Sequence, residues 1–259
     1  MTAKFIKQEY PILEYDPAYK AIIEPGRNNR DFDLPKRFVI TFFADIVEKY
    51  VKENDVKIIT KLKWETGIVT IYEMVHKGER IGFYHAWVGA PIAVGVMEFI
   101  IAYGAEKIIA CGGCGVLDKT IDVGQILIPT SAIRDEGTSY HYLPPSREVE
   151  IDKKCVNILE RVIKEHGYKY LKCKTWTTDA FYRETLDKVN MRKLEGCKSV
   201  EMECSALCAL SKFRKVSFGQ LLYGGDNLDL EAYDERDWQN NKSAREILFL
   251  LSLDSCIEL

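Results

Sequence analysis

The sequence predicts an α/β fold: a single domain of three layers, α/β/α, around a mixed central β-sheet. Three observations predict it. Runs of β-branched and aromatic residues alternate with helical stretches along nearly the whole chain. Between residues 80 and 111 a strand-like run, a punctuated helix and a second apolar run follow one another as in a βαβ unit. No Pro/Gly/Ser linker, repeat or low-complexity tract interrupts the 259 residues, so residues 1–259 read as one unit.

Residues 35–53, PKRFVITFFADIVEKYVKE, read as a helix, with Pro35 at a first-turn position and Phe38, Phe42, Ile46 and Tyr50 at helical spacing. VKIITKL (56–62), GIVTIYEMV (67–75) and RIGFYHAWV (80–88) read as strands separated by turn residues such as His-Lys-Gly-Glu. Residues 91–103 open with Pro91 and stop before Gly104, the punctuation of a helix. KIIAC (107–111) is a short buried strand. Further strands are expected at 124–133, 171–178 and 216–223. Helices are expected at 152–166, at 204–213 and near 240–254.

Composition removes several function classes. A net charge of -3, without a basic run, gives no attraction for nucleic acid or anionic membrane. MTAKFIKQEYPILEYD lacks the apolar centre of a signal peptide, and no apolar stretch approaches the roughly 18 residues of a transmembrane helix. A cytoplasmic protein is therefore expected, with its eight cysteines as reduced thiols. The four histidines are scattered without ligand spacing, so no metal site is expected. No Walker loop or Ser-His-Asp arrangement is visible.

Five segments carry candidate chemistry, and each has a plainer reading beside it. In SVEMECSAL (199–207), Glu201 and Glu203 flank Met202 at the start of an apolar helix. Acidic residues suit a first helical turn, but a carboxylate also suits a vicinal diol, because its two oxygens offer several lone pairs. In LLYGGDNLD (221–229), Asp226 is either a turn residue or an acid presented at a strand end, where desolvation would raise its pKa. Phe181 and Tyr182 in TTDAFYRET (177–185) are core aromatics or a stacking platform for a flat heterocycle. Gly26 and Arg30 in EPGRNNR (24–30) are solvated loop residues or an anion site. In ACGGCG (110–115), Cys111 and Cys114 form a Cys-x-x-Cys pair around Gly112 and Gly113. It is either a dithiol or a glycine cradle at a strand end.

In order and spacing these segments resemble the nucleoside phosphorylase family of the trimeric or hexameric type, which includes purine nucleoside phosphorylases, uridine phosphorylases and nucleosidases. HAWVGAPIAVGVMEFIIAYGAEKIIACGGCGVL is similar to that family's Gly-x-Pro helix, strand and glycine loop, and VEMECSAL is the most specific match. The resemblance implies that Gly26, Arg30, Gly112 and Gly113 bind phosphate, and that Met202 and Glu203 hold the ribose. Phe181, Tyr182 and Glu201 would line the base site, and Asp226 would be the general acid at purine N7. It implies nucleoside and inorganic phosphate as substrates, no further cofactor, and a homo-oligomer. Two departures stand out. Ala110 occupies the position of a family arginine, and Gly113 that of a Ser or Thr; Lys61 or Lys63 is a possible replacement. Phosphorolysis of a purine nucleoside is the leading expectation. Uridine phosphorolysis, hydrolysis by water, and a non-catalytic nucleoside-binding role are the alternatives.

Overall fold

The computed structural model describes residues 5–26, 32–229 and 233–259. The stretch expected to be one long helix divides in two. Arg37–Thr41 forms strand β1, and only Ala44–Glu53 is helical, as α1. The reason lies in burial on both faces. Phe38, Val39 and Ile40 are fully buried, and β1 runs parallel to strands on either side of it. An interior parallel strand reads as a continuous apolar run, without the alternation that distinguishes strand from helix.

One edge of the sheet is a wing. Strands β2 (Lys57–Trp64), β3 (Gly67–His76) and β4 (Glu79–His85) form an antiparallel meander. It joins β1, which joins β5 (Lys107–Val116). The remaining strands are β6 (Ile126–Asp135), the short β7 (Glu148–Glu150) on its edge, β8 (Tyr170–Thr178), β9 (Cys197–Glu201) and β10 (Ser217–Asn227). The sheet is mixed, as expected, but it also closes. β5, β9, β8, β6 and β10 pair in that order, and β10 returns to pair with β5. Apolar residues pack the closure: Cys114, Val116, Ile121, Leu127, Cys173 and Leu222 form one buried cluster.

Helix α2 (Ala90–Ala102) packs on α5 (Cys204–Arg214). Helices α3 (Lys153–Glu165) and α6 (Lys242–Glu258) form a second group with α1. The short α4 (Leu186–Leu194), β7 and β9 were not anticipated. Two expected loops prove to be strand. β5 continues through Gly112 and Gly113, which pair with Leu222 and Tyr223. β10 continues through Gly224, Gly225 and Asp226, with a register shift between Gly224 and Asn227. Glycine there signals close approach rather than a turn.

Candidate active site

The chain leaves β9 at Glu201 and enters α5 at Cys204, so Met202 and Glu203 make the corner. Glu201 holds that corner. Its Oε2 accepts the N–H groups of Glu203 and Cys204, each at 2.7 Å, and its Oε1 accepts the Thr177 hydroxyl at 2.6 Å. The carboxylate thereby satisfies backbone donors at the start of α5 and complements the helix dipole. The helix-start reading thus describes Glu201's observed contacts, with the residue itself closing a strand.

Glu203 is 5% exposed, and its Oε1 accepts the Gly89 N–H at 2.5 Å. Gly89 is the N-cap of α2 with φ of 112°, a backbone conformation that side chains disfavour. Glu203 therefore sits between the N-termini of two packed helices. Burial raises the pKa of both Glu201 and Glu203, and the Glu201 charge pushes Glu203 further. Three donors favour the ionised form of Glu201, so Glu203 is the more readily protonated of the two. Met202 is half-buried beside it.

Asp226 is half-buried on β10, and burial is the largest cause of its raised pKa. Tyr233 and Arg236 offset part of that rise. Glu184 lies within its field, pushed up to about 7 by burial and then by Asp226. The Cys114 thiol feels both Glu201 and Asp226. A methyl group placed on Gly115 would stand 2.9 Å from Val200 and 3.5 Å from Asp226 Oδ1. The carboxyl groups of β9 and β10 thus converge on the end of β5.

Phe181 and Tyr182 lie in a short 3-10 turn, Phe181–Arg183, that leads into Glu184. They are 50% and 88% exposed, with ring centroids 4.1 Å apart, so they are not core aromatics. The turn presents these two exposed rings just before Glu184, whose carboxyl feels Asp226.

The glycine cradle is filled. A methyl on Gly112 would stand 3.1 Å from Phe42 Cδ2, and one on Gly113 would stand 2.8 Å from Trp238 Cζ3. One on Gly225 would meet the same indole at 3.2 Å. Trp238 is seated by its neighbours: Tyr223 donates its hydroxyl to the Trp238 carbonyl at 3.2 Å, and Arg236 binds the carbonyls of Gly225 and Ile121. Ala110 is fully buried in β5. Arg245 lies 4.8 Å from the centre of the Phe43 ring, but Asp45, in the first turn of α1, pairs with it at 2.7 Å.

Gly26, one part of the expected phosphate site, is not gathered here. Gly26 lies beside Ala102, at the far end of α2 from Gly89. Twelve residues of helix span roughly 18 Å. Arg30 lies outside the described residues. Lys61 and Lys63 are exposed on β2, the far edge of the wing. Strands β3, β4 and β1 lie between β2 and β5 in the sheet order. Among the described residues no group of His, Cys, Asp and Glu is arranged to hold a metal ion. No described helix is long and apolar enough to cross a membrane.

Sequence reasoning missed Gly89, Thr177, Glu184, Phe42 and Trp238. Gly89 had a local signal, as the residue before a Pro-started helix. Glu184 stood two residues beyond the aromatic pair. Phe42 and Trp238 gave none, because they meet the cradle only through the fold.

The sequence model described as "Phosphorylase superfamily" matches residues 39–251. An uncharacterized protein of Acanthamoeba polyphaga mimivirus is 29% identical over 160 residues, 59% of this chain and 58% of that one, little more than half its length. A DeoD-type purine nucleoside phosphorylase of Bacillus cereus is 28% identical over 169 residues, 63% of this chain and 70% of the relative. Solved structures share the fold. A Toxoplasma gondii purine nucleoside phosphorylase in complex with immucillin-H superposes with a TM-score of 0.75 at 20% identity, over 87% of this chain and 92% of that one. An AMP nucleosidase from Bacteroides thetaiotaomicron gives 0.69 at 20% identity, over 87% and 88%.

Proposed function

The chain belongs to the phosphorylase superfamily, and from that premise we propose that it cleaves the N-glycosidic bond of a purine nucleoside, with water favoured over phosphate as the acceptor. Glu203 takes the sugar diol, with Met202 against the sugar face. Phe181 stacks on the base, with Tyr182 at its rim, and Asp226 donates a proton to N7. As the bond to the base breaks, electrons move to the purine and positive charge develops at C1′. Neutralising the departing base lowers that barrier directly. Burial supports this role for Asp226, since a raised pKa leaves more of the acid form to donate. Glu201 contributes by fixing the corner that aims Glu203.

One observation carries the preference for water: Phe42 and Trp238 stand against Gly112 and Gly113, where the resemblance expects phosphate contacts. A dianion needs donors and positive charge. The described residues supply an indole, a phenyl ring and two arginines already engaged, Arg245 by Asp45 and Arg236 by the carbonyls of Gly225 and Ile121. Similarity to a DeoD-type purine nucleoside phosphorylase supports the second reading, phosphorolysis. Incubating the protein with inosine, adenosine and uridine, with and without phosphate, separates the two. Free ribose at an unchanged rate is expected without phosphate. Strict dependence on phosphate, with ribose 1-phosphate as product, would return the protein to phosphorolysis.

A further inference from the structure

Residues 5–26 precede the superfamily match, which begins at residue 39. They nevertheless run along the body towards the site. Gly26 lies beside Ala102, at the C-terminal end of α2. Tyr19 stacks on Phe213 near the C-terminal end of α5, with ring centroids 5.4 Å apart and 21° between the planes. Arg214 clasps the same residue. Its Nη1 donates to the Tyr19 carbonyl at 3.3 Å, and its guanidinium lies 4.7 Å from the Tyr19 ring centre. Ile12, in the 3-10 turn Pro11–Leu13, then reaches Gly137, where an added methyl would stand 3.7 Å from Ile12 Cδ1. Seven residues extend to roughly 23 Å, more than the length of α5, so the arm spans the helix pair from its far end to the turn at Gly137.

That turn borders the site. The Gly137 N–H donates to Asp179 Oδ2 at 2.8 Å. Asp179 stands two residues before Phe181, and Glu203 feels its charge. The Gly137–Asp179 bond thus ties the end of β6 to the turn that carries the aromatic pair.

We infer that the N-terminal arm positions the site: Ile12, seated beside Gly137, keeps the Gly137–Asp179 bridge, and through it the Phe181 turn, where a base is stacked. The inference rests on the nucleoside reading above. Ile12 touches no reacting atom. It acts through Asp179 and Phe181, so its removal shows in substrate binding rather than in bond cleavage. Ile12 is 40% exposed and its turn buries no residue, so the fold does not depend on it.

The test compares Ile12→Asp, Ile12→Leu and Asp179→Ala with the wild type. It reads release of base from inosine and adenosine, binding of inosine by calorimetry, and melting temperature. Ile12→Asp and Asp179→Ala are expected to raise KM, and the calorimetric Kd, roughly five- to tenfold, because small displacements of positioning groups are costly. The kcat stays within about twofold and Tm within about 2 °C, as for other exposed substitutions. Ile12→Leu behaves as wild type. A KM for Ile12→Asp within about twofold of wild type, or a rise that Ile12→Leu shares in full, overturns the inference. A wild type that neither binds nor cleaves either nucleoside sinks the nucleoside reading and the inference together, which separates that failure from a failure of the arm alone.

Discussion

The two ends of the site are built from opposite materials. At the corner between β9 and α5, charged groups are buried and held. Glu201 is gripped by a hydroxyl and two backbone N–H groups, and Glu203 by Gly89. At the end of β5, glycines make room and aromatic rings occupy it, Phe42 over Gly112 and Trp238 over Gly113. The first end keeps two carboxyl groups out of water at a cost in stability. The second fills its free space with rings that no hydroxyl or anion would require. On the proposed reading, the difference teaches that sugar recognition and acceptor recognition are separable on this sheet: the first can stay fixed while the second is refilled.

The largest expected effect lies where the two ends meet. Asp226→Asn keeps the shape of the half-buried side chain but removes the acid, whose pKa burial raises. Turnover on a purine nucleoside should fall by about 10²- to 10⁴-fold, the usual worth of general acid catalysis. Nucleoside affinity should change far less. The wild-type rate should also decline as pH rises through the raised carboxyl pKa, since only the acid form donates. Full turnover in the variant would leave Asp226 as a structural residue of β10.

The corner offers the next effect, and its sign is unusual. Glu203→Ala should lower turnover and weaken nucleoside binding together, by roughly one to two decades, since two hydrogen bonds to the sugar diol are lost and each contributes about 0.5–1.5 kcal/mol. Glu203→Gln should stabilise the protein. A carboxyl whose pKa rises on folding binds more protons folded than unfolded, so its contribution to stability falls as pH climbs above its ordinary 4.5. The glutamine variant should therefore gain on the wild type with rising pH, by on the order of 2 kcal/mol at pH 8. Melting curves at pH 5 and pH 8 check this. An equal difference at both would mean that Glu203 is ionised throughout.

The same contrast explains what the sequence could disclose. Val-Glu-Met-Glu was legible because its chemistry is local: Glu201 binds N–H groups two and three residues ahead. Asp226 was read as an acid at a strand end, and it lies one residue before the end of β10, within the shifted register. Gly112 and Gly113 were misread as a loop because glycine marks both turns and close approaches, and only the fold brings Trp238 within reach from 125 residues away. β1 was misread for a similar reason. Its continuous apolar run reflects neighbours on both sides, β4 and β5, that periodicity does not encode. The wing strands β2 to β4, with local pairing and marked turns, came out within a few residues of their ends.

A smaller effect tests the filled end directly. Gly113→Ser places a Cβ 2.8 Å from the Trp238 ring. The ring must move, and overpacking of this kind costs about 1–3 kcal/mol. Trp238→Ala in the same chain should recover most of that loss. If the indole is what excludes an anion, the double variant should also show base release that phosphate accelerates. Wild-type stability in Gly113→Ser alone would mean that the indole does not occupy this place, and the contrast between the two ends would fail.

The smallest expected effect concerns the Cys-x-x-Cys pair that frames the filled end. Cys111 and Cys114 are three residues apart on β5. In a strand, side chains alternate faces, so an odd spacing sends the two thiols to opposite sides of the sheet. Their Cα atoms stand about 10 Å apart at 3.3 Å per residue, beyond the roughly 7 Å that a disulfide spans. Burial pushes Cys111 up to about 11, and Cys114 donates its proton to the Tyr223 carbonyl at 3.3 Å. Reactive cysteines need the reverse, a stabilised thiolate with access to solvent. The other six cysteines are also buried and unpaired. Thiol titration of the native protein should therefore register none of the eight, and mild oxidation should leave base release unchanged. All eight should react once the chain is unfolded in denaturant. A disulfide between Cys111 and Cys114 recovered from the oxidised native protein would show that β5 does not run straight through the glycines, and would restore the cradle that the strand replaces.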